Sequence, residues 1–176
     1  IDPQSIPLSE KEARKKLAKE QNLGVFQQWA ELVVHDPITN KFMLEFRQIF
    51  EKILPTIYPE VSSLTNIRHL DTITYYENGD FIEPHTDGNN VGRLCVILAY
   101  LSDIEDYNDG GGKLIIRDKD NNTHEVLPVK GNYVMLDFTN HNINHAVEVV
   151  KNDFERYCYL SFIYNTDVTG EAQVKY

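Results

Sequence analysis

Beyond Leu64, the sequence is made of short segments rich in Ile, Val, Leu and Tyr that are separated by Gly, Asn and Asp. The first group of residues favours β-strands, and the second favours the tight turns that join them. The segments predicted to be strands are 71–76, 81–86, 93–101, 113–117, 123–127, 132–138, 145–150 and 157–164. The turns are predicted at Asn78-Gly79, Asn108-Asp109-Gly110, Asp120-Asn121-Asn122 and Lys130-Gly131-Asn132. About eight short strands in succession predict an antiparallel sandwich or barrel.

The residues before this region have a helical pattern instead. Ser9 and Glu12 fit a capping box, which predicts a charged surface helix at about 10–21. The apolar stretch 26–34 does not distinguish a helix from a strand. Within residues 40–55, apolar side chains recur at intervals of three and four, at Phe42, Phe46, Ile49, Phe50 and Ile53. This spacing predicts an amphipathic helix that ends at the proline and packs against the sheet.

The composition is that of an ordinary globular protein, with 41% hydrophobic and 25% charged residues in a chain of 176. A chain of this length fits one domain with a substantial core. The net charge of −10 argues against a general affinity for nucleic acid, which requires a basic surface. No apolar run approaches the roughly 20 residues that cross a membrane, so no membrane association is expected.

The two cysteines, Cys95 and Cys158, both lie in apolar segments predicted to be strands. A disulfide between them is one alternative, but we expect two buried free thiols in a reducing compartment, which predicts a cytoplasmic protein. The N-terminus is polar and lacks the apolar core of a signal peptide. Because the chain begins at Ile1 without Met, we expect it to be trimmed or tagged.

A candidate metal site lies at His85-Thr86-Asp87, where two side chains that can bind a metal are two residues apart. In an extended strand, residues i and i+2 point to the same face, so His85 and Asp87 can converge on one ion. His145 is the preferred third ligand because it begins a predicted strand, whereas His141 lies in an Asn-rich loop and His124 in a polar hairpin. Two histidines and a carboxylate describe a facial triad for non-haem Fe(II). An isolated His-x-Asp is also common at the polar rim of a sheet.

A second candidate residue, Arg156, lies eleven positions after His145 among apolar and aromatic neighbours. A permanently charged guanidinium in such surroundings needs an anion, and its planar fork binds a carboxylate through two hydrogen bonds. The alternative is an ordinary ion pair with Glu155 or Asp153 at the end of a strand.

Taken together and in order, these segments resemble the 2-oxoglutarate- and Fe(II)-dependent oxygenases, and within them the prolyl 4-hydroxylase-like group. The resemblance extends over Tyr76-x-x-Gly79-x-Phe81-x-x-Pro84-His85-x-Asp87, Arg93 to Asp103, Gly110 to Leu114, Pro128-x-x-Gly131, Leu136-x-Phe138, His145 and Arg156. It implies a mainly β fold, the double-stranded β-helix or jelly roll, with N-terminal buttressing helices. The expected organisation is a single oxygenase domain over 1–176, with helical support at 1–64, the jelly-roll core at 65–166 and a tail at 167–176.

The resemblance also implies roles for individual residues. His85, Asp87 and His145 are expected to hold Fe(II). Arg156 is expected to bind the distal carboxylate of the co-substrate 2-oxoglutarate, together with the hydroxyl of Tyr76. Leu114 stands where the group has a pocket-lining Thr, so it is expected to pack against the co-substrate.

The implied reaction is hydroxylation by O₂, with succinate and CO₂ as co-products and ascorbate as a further candidate cofactor. Three departures from the group concern the substrate: Arg156 comes at eleven rather than Lys at ten after the last His, Lys113-Leu114 replaces an acidic residue and Thr, and Val149-Val150 replaces Pro-Val. They leave a free amino acid and a peptidyl residue, prolyl or other, as alternatives. A catalytically silent or other-metal cupin-like binding module is the second class of function.

Substrate contacts are expected from loops at the open end of the barrel. Arg93 is the foremost candidate, since it begins a strand next to the metal site and could hold a substrate carboxylate. The other candidates are Asn89, Asn90, Arg117, Glu83 and the loop 105–107. An exposed surface position is the alternative for each of these residues.

Overall fold

The computed structural model describes residues 37–59, 66–87, 92–139 and 143–166. The predicted helix at 10–21, the stretch 26–34, Asn89, Asn90 and His141 lie outside the described residues. Within these ranges one helix, α1 (Pro37–Ile57), precedes eight strands. The strands are β1 (Ile67–Tyr76), β2 (Ile82–His85), β3 (Arg93–Tyr100), β4 (Leu114–Arg117), β5 (Thr123–Val126), β6 (Tyr133–Asp137), β7 (Asn144–Val147) and β8 (Arg156–Asn165).

The strands form two four-stranded antiparallel sheets. The major sheet has the order β1-β8-β3-β6, and the minor sheet has the order β2-β7-β4-β5. The chain therefore passes repeatedly from one sheet to the other, which is the jelly-roll arrangement predicted from the sequence. All eight predicted strands are present. Apolar side chains fill the space between the sheets, among them Val96, Leu98, Leu114, Leu136 and Cys158.

Three registers determine which side chains meet inside the barrel. In the major sheet, Tyr76 at the end of β1 is opposite Arg156 at the start of β8. In the minor sheet, His145 on β7 is opposite His85 on one side and Ile116 on the other. Because directly opposite residues project from the same face of a sheet, each pair brings its side chains together.

Helix α1 packs on the outer face of the major sheet, as predicted. Phe46 contacts Tyr159 with the ring centroids 5.0 Å apart, and Leu54 is buried in the cluster beneath the end of the helix. The predicted apolar face is wrong in part, because Ile49 and Ile53 are 54% and 41% exposed. The residues that face the sheet recur at intervals of four, and these two isoleucines lie on the neighbouring stripe. No described helix has the length and apolar character required to cross a membrane.

The predicted end of this helix is also wrong. Pro55 lies inside α1, which continues to Ile57. A proline blocks the helix by removing one N–H donor and crowding the preceding turn. Here the residue falls in the last turn, and the burial of Leu54 and Tyr58 in the core holds the chain on either side of it. Tertiary packing therefore overrides the local signal.

A partly buried ion pair, Arg47–Asp71, joins the helix to the sheet. Arg47 on α1 donates both its Nε and an Nη to Oδ2 of Asp71 on β1, the former at 2.6 Å. Tyr159 on β8 donates its hydroxyl to the other carboxylate oxygen at 2.9 Å. The Asp71 side chain is 1% exposed, so its charge is satisfied entirely by these partners.

Candidate metal centre

The minor sheet and the segment after β2 bring together the three residues predicted to bind a metal. The ring centroids of His85 and His145 are 4.4 Å apart. Oδ1 of Asp87 lies 3.7 Å from Nε2 of His85, and Oδ2 lies 3.7 Å from Nε2 of His145. One ligand atom from each residue falls within 4.8 Å of the other two, a separation that one ion can bridge.

Backbone carbonyls orient the two imidazoles. Nδ1 of His85 lies 2.8 Å from the carbonyl oxygen of Glu83, and Nδ1 of His145 lies 3.2 Å from that of Ile143. A carbonyl only accepts hydrogen bonds, so each Nδ1 is a donor. Nε2, which faces Asp87, donates to that carboxylate when the ring is protonated and can bind a metal when the ring is neutral. The neutral form is the tautomer in which a histidine with a backbone partner donates to a metal.

The electrostatics of the cluster favour an ionised Asp87 between the imidazoles. Burial raises the pKa of the Asp87 carboxyl, but the hydrogen bond with His85 and the charges of His145 and Arg93 together hold it below its usual value. The bond to Asp87 raises the pKa of His85, whereas burial lowers the pKa of His145. A carboxylate beside two imidazole nitrogens is the donor set that suits Fe(II) with open positions.

The three residues face a cavity of about 80 Å³ between the two sheets. Its walls are largely apolar, and Leu114 is one of the residues that line it. The further apolar lining residues are Ile82, Val96, Leu98, Leu136, Val147, Leu160 and Phe162. The polar side chains that complete the lining are Thr74, Tyr76 and Arg156. The candidate metal ligands and the candidate co-substrate residues therefore share one cavity.

Arg156 is buried in this cavity, with 2% of its surface exposed. Its Cζ lies 4.8 Å from the centroid of the Tyr76 ring and 5.2 Å from that of the Tyr100 ring, and its Nε donates to the carbonyl of Gly112 at 2.8 Å. Among the described residues, none places a carboxylate within 4.0 Å of this guanidinium. Glu155, the alternative partner, instead accepts hydrogen bonds from Tyr75 and Tyr157. A buried charge without a counter-ion is unfavourable, so the site is suited to an anionic ligand.

Tyr100 belongs to the same group but was missed in the sequence. Its hydroxyl is buried beside Arg156 and makes no well-oriented hydrogen bond to a described residue. Burial raises the pKa of the Tyr100 hydroxyl, and it raises that of Tyr76 to about 12, so both keep a proton to donate. The residue ends the apolar strand β3. A buried Tyr hydroxyl normally needs a partner, which is the signal that could have identified it.

The residues present therefore fit an iron ion and a 2-oxoacid with a second carboxylate. Three donors from His85, Asp87 and His145 leave open positions for a chelating ligand. The guanidinium of Arg156, which has no carboxylate partner among the described residues, provides donors for a carboxylate in the same cavity, and the ring of Tyr100 lies beside it.

The predicted substrate residues have different positions. Arg93 donates from Nη1 to the carbonyl of Asp87 at 3.0 Å, and from Nη2 to the hydroxyl of Tyr164 at 3.0 Å. Its Cζ lies 4.7 Å from the centroid of the Phe162 ring. These contacts engage the guanidinium and hold the backbone of a candidate metal ligand, so the structure places Arg93 as a support of Asp87.

The other substrate candidates are not brought to the triad. Arg117 is exposed, and because side chains alternate it projects from the outer face of the minor sheet, opposite to Ile116 and His145. Glu83 is exposed and contributes its carbonyl to His85. In the loop 105–107, Tyr107 packs against Phe154.

Residues 72–164, just over half of the chain, match the family described as the 2OG-Fe(II) oxygenase superfamily. The chain belongs to this superfamily. The matched region contains all three candidate metal ligands, and it also contains Tyr76, Tyr100 and Arg156. No match to a curated protein was found.

Solved structures with the same fold include two prolyl 4-hydroxylases and a further prolyl hydroxylase. The enzyme from Pseudomonas putida is 15% identical, with a TM-score of 0.60 over 91% of this chain and 88% of that one. A prolyl 4-hydroxylase from Phytophthora capsici is 18% identical, with a TM-score of 0.53, and the match covers 94% of this chain and 57% of that one. A prolyl hydroxylase from Trichoplax adhaerens is 19% identical, with a TM-score of 0.50, and the match covers 58% of this chain and 47% of that one. That enzyme is in complex with a peptide fragment of the hypoxia inducible factor oxygen degradation domain. At these identities the likeness shows the fold, which is prolyl 4-hydroxylase-like.

Proposed function

We propose that this member of the superfamily is an Fe(II)- and 2-oxoglutarate-dependent dioxygenase that hydroxylates an amino acid or a peptidyl residue, with a prolyl residue as one candidate. Succinate and CO₂ are the co-products. One observation carries the proposal: a single cavity contains a three-residue metal cluster and a buried arginine with no carboxylate partner among the described residues. A binding module without catalysis has no need for both.

In this proposal His85, Asp87 and His145 hold Fe(II). The iron and 2-oxoglutarate, when bound, supply the oxidation of a C–H bond by O₂. The carbonyls of Glu83 and Ile143 keep the proton of each imidazole on Nδ1, so both Nε2 atoms stay available to the metal without a change of tautomer. The ionised Asp87 supplies the negative charge that balances the cation.

Arg156 binds the distal carboxylate of 2-oxoglutarate, and the hydroxyls of Tyr100 and Tyr76 share it. Burial makes these hydrogen bonds stronger than they would be in water, because the surroundings have a low dielectric constant. The apolar walls of the cavity, such as Leu114 and Leu136, exclude water from the reacting groups. The protein thus orients the co-substrate at both of its ends.

Two features support the expected partners and location. The net charge of −10 supports a substrate other than nucleic acid. Cys95 and Cys158 are buried free thiols, as expected, and they support a reducing compartment such as the cytoplasm. The Trichoplax neighbour was solved in complex with a peptide fragment, which supports testing peptides beside free amino acids.

Anaerobic titration tests the proposal. Addition of Fe(II) and then 2-oxoglutarate to the protein is expected to produce a weak visible charge-transfer band, and Arg156→Ala is expected to remove the dependence on 2-oxoglutarate. Succinate release is then screened against free amino acids and proline-containing peptides, with and without ascorbate. Metal binding with no band and no 2-oxoglutarate binding would instead favour the cupin-like binding module.

A further inference from the structure

We propose that Gly112 is a positioning residue that directs Arg156 towards the distal carboxylate of the co-substrate. This inference rests on the proposed function, because it concerns the same cavity. The glycine acts in two ways: its carbonyl accepts a hydrogen bond from Nε of Arg156 at 2.8 Å, and its missing side chain leaves room for the arginine stem.

The segment Gly110–Gly112, here called the glycine turn, is held in place by the connection between β7 and β8. Gly112 donates its N–H to the carbonyl of Val149 at 3.2 Å, and Lys151 donates to the carbonyl of Gly110 at 2.7 Å. Gly111 forms an antiparallel bridge with Val150. The glycine turn therefore cannot shift without breaking contacts to the segment that leads into β8.

This connection is itself fixed to the turn after β1. Val150 donates its N–H to the carbonyl of Asp80 and accepts from the N–H of Gly79, both at 2.9 Å. Val150 also packs in a buried cluster with Tyr76 and Phe154. The carbonyl of Gly112 is thus tied through backbone hydrogen bonds to both strands that carry the co-substrate residues.

A side chain at position 112 would be strained and crowded. Its φ is +66°, in the left-handed region that side chains disfavour. A Cβ built there would lie 3.0 Å from Cδ of Arg156 and 3.0 Å from Cγ2 of Val150. Since Val150 is fully buried, the added methyl group would displace the arginine stem.

The hydrogen bond to Gly112 also determines which donors of Arg156 remain for the ligand. The guanidinium has one Nε and two terminal nitrogens, and a carboxylate is held best by two parallel donors. With Nε occupied by the carbonyl and the plane flanked by Tyr76 and Tyr100, the terminal nitrogens are left for the cavity. Gly112 therefore contributes to selectivity for 2-oxoacids that carry a second carboxylate.

The test compares two ligands that share the chelating end. Calorimetry measures the binding of 2-oxoglutarate and of 2-oxobutanoate, which lacks the distal carboxylate, to the full chain loaded with Mn(II) under conditions without turnover. Gly112→Ala is expected to weaken 2-oxoglutarate binding by about tenfold or more and to leave 2-oxobutanoate binding within about twofold of the wild type.

Gly131→Ala is the matched control. Gly131 also has a positive φ, +91°, but a Cβ there meets no atom within 4 Å. This variant carries the same kind of backbone strain without touching Arg156, so its thermal unfolding midpoint should fall while the affinities for both acids stay unchanged.

The outcomes separate this inference from the proposed function. A wild type that does not prefer 2-oxoglutarate to 2-oxobutanoate contradicts the function and the inference together. If the wild type prefers 2-oxoglutarate, two results for Gly112→Ala contradict the inference alone. The first is that the variant keeps that preference, and the second is that its affinities for the two acids fall by the same factor. If Gly112→Ala does not fold, Gly112→Asn takes its place, because Asn tolerates a positive φ while still adding a Cβ, and a full wild-type preference in that variant would likewise overturn the inference.

Discussion

Two arginines on opposite faces of the major sheet show how one residue type serves structure in one place and a ligand in another. Arg47, on the outer side, binds Asp71, whose second carboxylate oxygen accepts from Tyr159. Arg156, on the inner side, contacts two tyrosine rings and a carbonyl but has no carboxylate partner among the described residues. Both need an anion for the same physical reason.

The difference lies in what supplies the anion. On the outer face the protein supplies it, so the charge is part of the fold and joins α1 to the sheet. On the inner face the protein leaves the charge unsatisfied, which is unfavourable for the empty fold and favourable for binding. A buried guanidinium that has no carboxylate partner among the described residues and shares a cavity with metal donors is therefore a better guide to function than the arginine alone.

The largest effect is expected at the metal centre of the inner face. His145→Ala should abolish both metal binding and turnover, because it removes one of three ligands from a site with no spare donor among the described residues. Metal titration and succinate release measure the two effects. His141→Ala is the control and should keep most activity, and the reverse result would show that the loop histidine is the ligand.

Replacement of the unpaired arginine should reduce binding without reducing stability. Arg156→Met should weaken 2-oxoglutarate binding by about a hundredfold or more, because the distal carboxylate loses its charged partner. The unfolding free energy of the protein without ligand should stay the same or rise, since an uncompensated buried charge is replaced by an apolar chain. Denaturant unfolding and calorimetry measure both quantities.

The same substitution on the outer face should have the opposite effect. Arg47→Met leaves the buried carboxylate of Asp71 without its ion pair and should lower the unfolding free energy by about 3 kcal/mol. The affinity for 2-oxoglutarate in the fraction that remains folded should be unchanged. If Arg47→Met and Arg156→Met had equal effects on stability, the contrast between the two faces would fail.

A third arginine tests whether support of the site can be separated from substrate binding. Arg93→Gln should weaken metal binding by about ten- to a hundredfold, because it removes the donor that holds the backbone of Asp87. Metal titration in the absence of any substrate is the measurement, and Arg117→Gln on the outer face of the minor sheet is the control. Unchanged metal affinity together with a higher substrate KM would return Arg93 to the role of a substrate contact.

The smallest effect is expected from a histidine of the outer face. Nδ1 of His69 lies 3.1 Å from Oγ of Ser161, and Nε2 lies 3.7 Å from a carboxylate oxygen of Glu51 on α1. The pKa of His69 lies below its usual value, mainly because the ring is buried. The charge of Arg47 lowers it further, and the charges of Asp71 and Glu51 oppose the shift without cancelling it. The unfolded chain therefore binds a proton first as the pH falls through about 6.5, and stability decreases there.

His69→Asn should reduce this dependence. The amide can keep a hydrogen bond to Ser161 but does not titrate, so the difference in unfolding free energy between about pH 7.5 and pH 5 should become smaller than in the wild type. Denaturant unfolding at the two pH values measures it. An unchanged difference would assign the acid sensitivity to other groups.

Much of the fold could be predicted because its signals are local. Each strand carries its own β-forming residues and ends at turn residues such as Asn78-Gly79, where Gly79 has a φ of +89°. The helix prediction failed at Ile49, Ile53 and Pro55 because the sheet, and not the helix, determines which stripe is buried and where the last turn ends. Periodicity indicates an apolar face but does not show which part of it has a partner.

The sequence by itself determined the eight strands, the His-x-Asp pair and the need of Arg156 for an anion, since these depend on residue type and on spacing within one segment. Only the tertiary structure decided the rest. It placed His145 opposite His85, put the ring of Tyr100 beside the guanidinium of Arg156 and turned Arg93 towards Asp87. These facts depend on register and on the packing of strands distant in sequence, and neither is encoded in a local pattern.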